Sequence, residues 1–315
     1  MTARPAGGGL RERLSNPRAD RIKQVAALAG RSVSSSQPGP DAGSGSSSNS
    51  GSSSGSISGT AARAARERSG QFLVEGPQGV RELVANRADL VRDVYVSDAA
   101  RLAHAAIVDA ALEAGLFVHP VTDEVSAAMS RDSQGIAAVA RMWDLAPVEV
   151  PAGARLVAIL SDVRDPGNAG TAIRVADAAG ADVVILAGES VDVFNPKVVR
   201  ATAGSLFHVP VVRGVSVADA VGAARSAGLV VLAADGGGDI ELPGGGSTNG
   251  ANTLELAQPT AWLFGNEAHG LAAADLALAD RVVRIPIYGA AESLNLATAV
   301  AVCLYASAGA HAASN

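Results

Sequence analysis

From residue 72 onward, short apolar blocks alternate with stretches whose apolar residues recur at helical spacing. Blocks 72–74, 91–96, 117–121 and 136–142 predict strands. Between them, 77–86 predicts a helix with proline near its start, and 99–114 one closed by Gly115. Thr122 is placed to cap a further short helix. This α/β unit, 72–147, ends near Pro147 and Pro151. A second run follows over 151–315. Its predicted strands are 156–160, 183–187, 207–212, 229–233, 261–264 and 282–287. Its predicted helices include 169–179, 196–204 opened by Asn195-Pro196, 217–227 opened by Ser216, and a long apolar final helix. Strands that alternate with helices imply an α/β domain whose mostly parallel sheet is covered on both faces.

Two stretches break the rhythm. Residues 32–60 are almost all Ser and Gly; they bury too little apolar surface to offset chain entropy, so disorder is expected. Residues 236–251 are Gly-rich and predict a surface loop. Before residue 72 the pattern is basic, with Ile22, Val25 and Leu28 at helical spacing. Residues 1–71 therefore form a basic N-terminal arm interrupted by the 32–60 segment.

Charge sharpens this division. The 315-residue chain carries a net charge of −6. Its first seventy residues hold ten basic and four acidic side chains, a surplus of six positive charges that leaves −12 for the remainder. A basic arm on an acidic body suits nucleic-acid binding; a solubilising tail is the alternative. Lysine occurs only at Lys23 and Lys197, so arginine supplies nearly all the positive charge. That pattern fits bidentate phosphate contacts or a GC-rich genome. The single cysteine, Cys303, excludes an internal disulfide and any multi-cysteine zinc site, and predicts a buried thiol. The N-terminus lacks the apolar core of a secretory signal. The final helix reads as packed rather than membrane-spanning, so the expected compartment is the cytoplasm.

Three polar loops follow apolar strands, at 161–170, 265–270 and 286–295. In a parallel sheet all such loops lie on one edge, where open α/β folds place their chemistry. Asn168, Arg174, Asn266, Glu267, Ser293 and Asn295 are therefore candidates to converge. No GxGxxG follows a strand, no Walker loop occurs, and no GxSxG elbow is present. The five histidines lack metal-ligand spacing, so no metal is expected.

These loops resemble the three signature motifs of the SpoU (TrmH) family of RNA ribose 2′-O-methyltransferases, in the knotted SPOUT superfamily. The first is Asn168-x-Gly170-x-x-x-Arg174. The second is Leu263-Phe264-Gly265-Asn266-Glu267-Ala268-His269-Gly270-Leu271, with Ala268 where many members have glycine. The third is Ile285-Pro286-Ile287 followed by Glu292-Ser293-Leu294-Asn295-Leu296-Ala297. Phe72-Leu73-Val74-Glu75-Gly76 resembles the start of the family's ribosomal-protein-like substrate-binding domain.

The resemblance implies a deep trefoil knot, S-adenosyl-L-methionine as cofactor, a homodimer, and methyl transfer to a ribose 2′-hydroxyl, with 23S ribosomal RNA as the RNA partner. Transfer RNA, a non-catalytic RNA-binding protein of the same fold, and an unrelated dehydrogenase are the alternatives. It assigns cofactor contacts to Leu263, Phe264, Gly265, Asn266, Gly270, Ile285, Ile287, Ser293 and Leu294, largely through backbone groups, with Ile285, Ile287 and Leu294 lining the adenine pocket. Gly265 is expected to permit close backbone approach. Catalytic roles fall to Arg174, Asn168, Glu267, Ser293 and Asn295. Arg174 is expected to stabilise charge and orient phosphate, because a guanidinium is a poor base. Asn168 is expected to cap its helix and to position Arg174 or the ribose.

Overall fold

A computed structural model describes residues 8–33, 55–56, 58–143, 149–242, 254–266 and 268–314. The chain divides into two compact units, Met1–Trp143 with Phe194–Pro196, and Asp144–Val193 with Lys197–Asn315.

The first unit is built on a five-stranded sheet in the order Gly9–Leu10, Phe117–Val121, Val91–Ser97, Ile136–Arg141, Gln71–Glu75. Ile136–Arg141 runs antiparallel to both its neighbours, and the other pairings are parallel. The predicted helix around Ile22 spans Asp20–Leu28. Its buried Ile22, Val25 and Leu28 pack with Leu73, Tyr95, Val121 and Val139 of the sheet. A second helix, Gly59–Ser69, follows Ser58, whose hydroxyl accepts from the Ala61 amide. The described parts of the basic segment thus belong to this unit's core. The hydrophobic pattern gives no sign of that second helix, because its alanines and arginines carry little apolar periodicity. The predicted helix 99–114 is two helices, Asp98–Ala103 and Ala105–Glu113, broken at His104 (φ −125°, ψ 38°). Most of the 32–60 stretch, together with Pro147 and residues 243–253 of the insert region, lies outside the described residues.

The second unit is a seven-stranded, wholly parallel sheet. In chain order its strands are β1 (Leu156–Ser161), β2 (Val183–Ala187), β3 (Val211–Val215), β4 (Val230–Ala234), β5 (Ile240–Glu241), β6 (Thr260–Phe264) and β7 (Arg281–Arg284). Their spatial order is β3-β2-β1-β6-β4-β7-β5. The late strands β6 and β7 are each inserted between strands that precede them in sequence. β5 lies inside the stretch expected to be only a loop. The strand expected at 207–212 begins instead at Val211: Phe207 closes a 3-10 turn, Ser205–Phe207, and Pro210 intervenes. Phe207 and Val209 are buried there without being in a strand, which apolar periodicity cannot distinguish.

One face of the sheet packs Val157, Ile159, Ile185, Val231 and Leu263 against Val217, Ala220, Val221 and Ala224 of the helix Val217–Ser226. The terminal helix, Leu296–Ala313, packs on β1, β6 and the helix Pro166–Ala178. It is long and apolar enough to cross a membrane. Its buried Ser307 nevertheless accepts a 2.9 Å hydrogen bond from Nε1 of Trp262 on β6, and both residues are fully buried. Cys303 of the same helix is also fully buried, which pushes its thiol up to about 12.

Candidate functional site

The parallel sheet brings the ends of β1 and β6 side by side, with Phe264 paired to Leu160. β7 ends two strands farther along, beyond β4. The first loop is shaped by Asp162, which adopts a left-handed conformation (φ 52°). Its Oδ1 accepts from the Glu189 amide at 2.7 Å, joining the loops after β1 and β2. Ser190 reinforces this junction: its hydroxyl accepts from the Val163 amide at 3.1 Å and donates to the Ala187 carbonyl at 2.7 Å.

The helix carrying Arg174 begins earlier than 169–179 suggested. It spans Pro166–Ala178, and its N-cap is Asp165, whose Oδ1 accepts from the Asn168 amide at 2.7 Å. Asn168 is therefore in the first turn and does not cap the helix. The signal was present in the sequence, since an aspartate before a proline is a strong helix opening. Freed from capping, the Asn168 side chain accepts a 3.0 Å hydrogen bond from Nδ2 of Asn295. Asn295 caps the terminal helix through Oδ1, which accepts from the amides of Ala297 (2.9 Å) and Thr298 (3.4 Å). One amide side chain thus starts a helix and ties the third loop to the first.

The second loop is tied to the first as well. Nδ2 of Asn266 donates to the Asp162 carbonyl at 2.7 Å, and its Oδ1 accepts from the Ala268 amide at 2.8 Å. Its main chain exchanges two hydrogen bonds with Gly270, at 3.0 and 2.9 Å. That narrow loop explains Gly265: a Cβ there would stand 2.3 Å from the Gly270 carbonyl carbon and 2.4 Å from the Leu271 nitrogen. The close backbone approach expected at Gly265 is thus made by the chain itself. Gly170 has a similar cause, since its Cβ would lie 2.5 Å from the Ala201 Cβ and 2.7 Å from the Val198 carbonyl oxygen.

The side chains of Leu263 and Phe264 are buried in the core, so only their backbone can meet a ligand. Ile285 and Ile287 lie beyond the end of β7, which stops at Arg284 rather than at 287. Ile285 and Leu294 are half-buried and Ile287 is 38% exposed. Ser293 is exposed. Glu267 lies outside the described residues.

Arg174 is exposed, two turns into its helix, and forms no ion pair with any described residue. Asp177, the acidic group nearest to it in sequence, lies 2.9 Å from Nδ1 of His208, and Asp162 and Asp165 are engaged with main-chain amides. An exposed cation without an ion-pair partner among the described residues is available to an anionic ligand. Among the described residues no cluster of His, Cys, Asp and Glu suits a metal ion.

The sequence from residue 155 to 305 matches the SpoU rRNA Methylase family. The 23S rRNA (guanosine(2553)-2′-O)-methyltransferase RlmP of Bacillus subtilis is 36% identical over 246 residues, covering 76% of this chain and 89% of that protein. Several solved structures resemble nearly the whole chain. The SpoU methyltransferase AviRb of Streptomyces viridochromogenes, in complex with AdoMet, superposes with a TM-score of 0.70 at 29% identity, over 94% of this chain and 100% of that one. The AdoMet-bound rRNA methyltransferase of Sinorhizobium meliloti gives 0.69 at 26% identity, over 95% and 97%.

Proposed function

The chain belongs to the SpoU rRNA methylase family, and from that premise we propose that it methylates a ribose 2′-hydroxyl of 23S ribosomal RNA with S-adenosyl-L-methionine. The observation that carries this reading is the tie among the three loops. Asn295 to Asn168 and Asn266 to the Asp162 carbonyl gather residues 127 and 104 positions apart. The inserted strands β6 and β7 support the family's trefoil knot, an exception to the rule that chains avoid threading.

S-adenosylmethionine supplies a methyl group already activated on a sulfonium. The chain has to hold that group and bring a ribose oxygen into line with it, and positioning of this kind contributes several orders of magnitude. Backbone groups of Leu263, Phe264, Gly265, Asn266 and Gly270, with Ser293 and the open side chains of Ile285, Ile287 and Leu294, form the cofactor's seat. Arg174 is given no role as a base, because a guanidinium is a poor one. It orients the ribose-phosphate and stabilises negative charge as it develops on the 2′-oxygen. Asn168 and Asn295 hold the mouth of the site in register beside Arg174, and the role assigned to Glu267 is to orient the site. We assign the N-terminal unit to holding RNA, the active form to a homodimer that uses the open Val302 and Tyr305 of the terminal helix, and the compartment to the cytoplasm.

The test is to delete the gene and map 2′-O-methylation across ribosomal and transfer RNA. One mark in 23S RNA disappears, returns with the wild-type gene, and does not return with Arg174→Ala, whose rate in vitro falls on the order of 100- to 1000-fold. Restoration by Arg174→Ala at the wild-type rate overturns the arginine's role. Loss of a transfer-RNA mark instead overturns the substrate, and failure of the purified protein to bind S-adenosylmethionine overturns the activity.

A further inference from the structure

The N-terminal unit contains a cleft of about 1060 Å³. Four arginines from four segments line it: Arg11, Arg21, Arg68 and Arg92. Against them stand two carboxylates, Glu12 and Asp93. Three of the four arginines belong to the basic first seventy residues, so the folded arm directs part of its charge into one concavity. The rest of the wall mixes apolar Leu14, Ala65 and Phe117 with Gln24, Ser69 and Gln71, over the buried Val25, Leu28 and Val139.

The arginines do different things. Arg21 is part of the frame. Its Nη2 lies 2.6 Å from Asp93 Oδ1, and its Nε donates to the Tyr95 hydroxyl at 2.8 Å. His119 stacks on Tyr95 and places Nε2 2.9 Å from the same carboxylate oxygen. Arg11 lies over the Phe117 ring, 4.3 Å from its centre. Arg92 and Arg68 face outward. The Arg92 side chain is 60% exposed and only loosely paired, 3.7 Å from Asp93. Arg68 is exposed and makes no ion pair with a described residue.

A concave wall of apolar and amide side chains under a cationic rim fits a ligand with a planar, partly polar body and anionic groups along one side. Unpaired RNA has that form, because its sugars and bases can turn inward while the phosphates stay outside. A duplex is too stiff to enter such a concavity and keeps its base faces stacked. Tyr95 and His119 are buried, so they give no open stacking platform and the contact is one of backbone and shape.

We propose that this cleft binds an unpaired segment of the substrate RNA, with its phosphates on Arg68 and Arg92. The proposal rests on the reading of the chain as an RNA-modifying enzyme. It separates a holding site in the N-terminal unit from the reacting site of the C-terminal unit.

The test compares wild type, Arg68→Ala/Arg92→Ala, and a control pair outside the cleft, Arg81→Ala/Arg101→Ala. The probes are overlapping transcripts that tile 23S ribosomal RNA, each used single-stranded and annealed to its complement. Arg68→Ala/Arg92→Ala is expected to bind unpaired transcripts about tenfold more weakly. The slope of log affinity against log salt should shrink by about 1.4, roughly 0.7 for each single-strand phosphate that no longer meets an arginine. The control pair should bind as wild type, and the unfolding temperature of all three should agree. Wild-type affinity and slope in the cleft variant, an equal loss in the control pair, preference for annealed duplex, or no RNA binding by wild type each overturns the proposal. Binding is read without methyl transfer. A wild type that binds RNA through these arginines but not S-adenosylmethionine would therefore sink the functional reading and leave the cleft standing.

Discussion

Among the described residues, the N-terminal unit buries charged side chains and the C-terminal unit does not. Among the described residues, Arg66, Glu75, Asp93 and His119 are buried, and all four lie in the first unit. Each is partnered: Arg66 donates to the Leu28 carbonyl at 2.9 Å, Glu75 accepts from the Ser130 hydroxyl, and Asp93 joins His119 to Arg21. The buried polar residues of the second unit are Ser161, Thr202, Ser205, Thr260 and Ser307, all neutral hydroxyls. Its described charged side chains all stay at least partly exposed, on strands (Arg213, Glu241, Arg281 and Arg284) as well as on helices and loops, and its second and third motif loops are tied to the first by neutral amides. Burying a charge needs a fixed partner, and the partner cancels it. The first unit uses charge to hold the basic segment on its sheet. The second keeps charge out of its buried core, and Arg174, which forms no ion pair with a described residue, stands open to a substrate.

The largest effect expected from breaking this contrast is at Asp93. Asp93→Ala leaves Arg21 and His119 facing each other without a carboxylate and should cost about 2 to 3 kcal/mol, read by urea unfolding. Burial raises the Asp93 pKa, but the His119 hydrogen bond and the Arg21 charge outweigh it and hold it below the ordinary carboxylate value. Its contribution is therefore complete above the unfolded value of about 3.9 and disappears as pH falls through the lower folded value. The gap between wild type and Asp93→Ala should be constant near neutrality and close below pH about 4. A gap that persists in acid would mean that packing, not charge, sets the cost.

Trp262→Phe probes the other strategy. It removes the indole donor and leaves the Ser307 hydroxyl buried without it. A loss of about 1 to 2 kcal/mol is expected, independent of pH between about 5 and 9, since neither group titrates there. An unchanged unfolding midpoint would show that the terminal helix is held by apolar contact alone.

The smallest stability effect belongs to Asn295. Asn295→Ala removes a helix cap and should cost about 1 kcal/mol. Its pairing with Asn168 is separable by a double-mutant cycle with Asn168→Ala, where a coupling of about 0.5 kcal/mol or more is expected. Strict additivity would deny that the amide pair joins the loops.

Much of the scaffold was legible because strand signals are local. The predicted 156–160 and 183–187 appear as Leu156–Ser161 and Val183–Ala187, since uninterrupted apolar runs between Gly- and Asp-rich loops admit little else. Errors fell where local signals compete. Around Phe207, burial without a strand imitates one, and at residue 168 an asparagine two positions after a proline hid the true cap, Asp165. The site was legible as three polar loops and as motifs, but the hydrogen bonds that join them were not.

The amino-acid sequence by itself determined the alternation of strands and helices, the polar loops at strand ends, the basic character of the first seventy residues and the family's motifs. Each of these is written in neighbouring residues. Only the tertiary structure decided that β6 enters between β1 and β4, that Asn295 bonds to Asn168 across 127 positions, and that Gly265 clears the chain's own backbone at Gly270. It also decided that Asp93, His119 and Arg21 meet. Strand order and side-chain pairing depend on the closure of long loops and on burial shared by distant segments, and no local pattern encodes either.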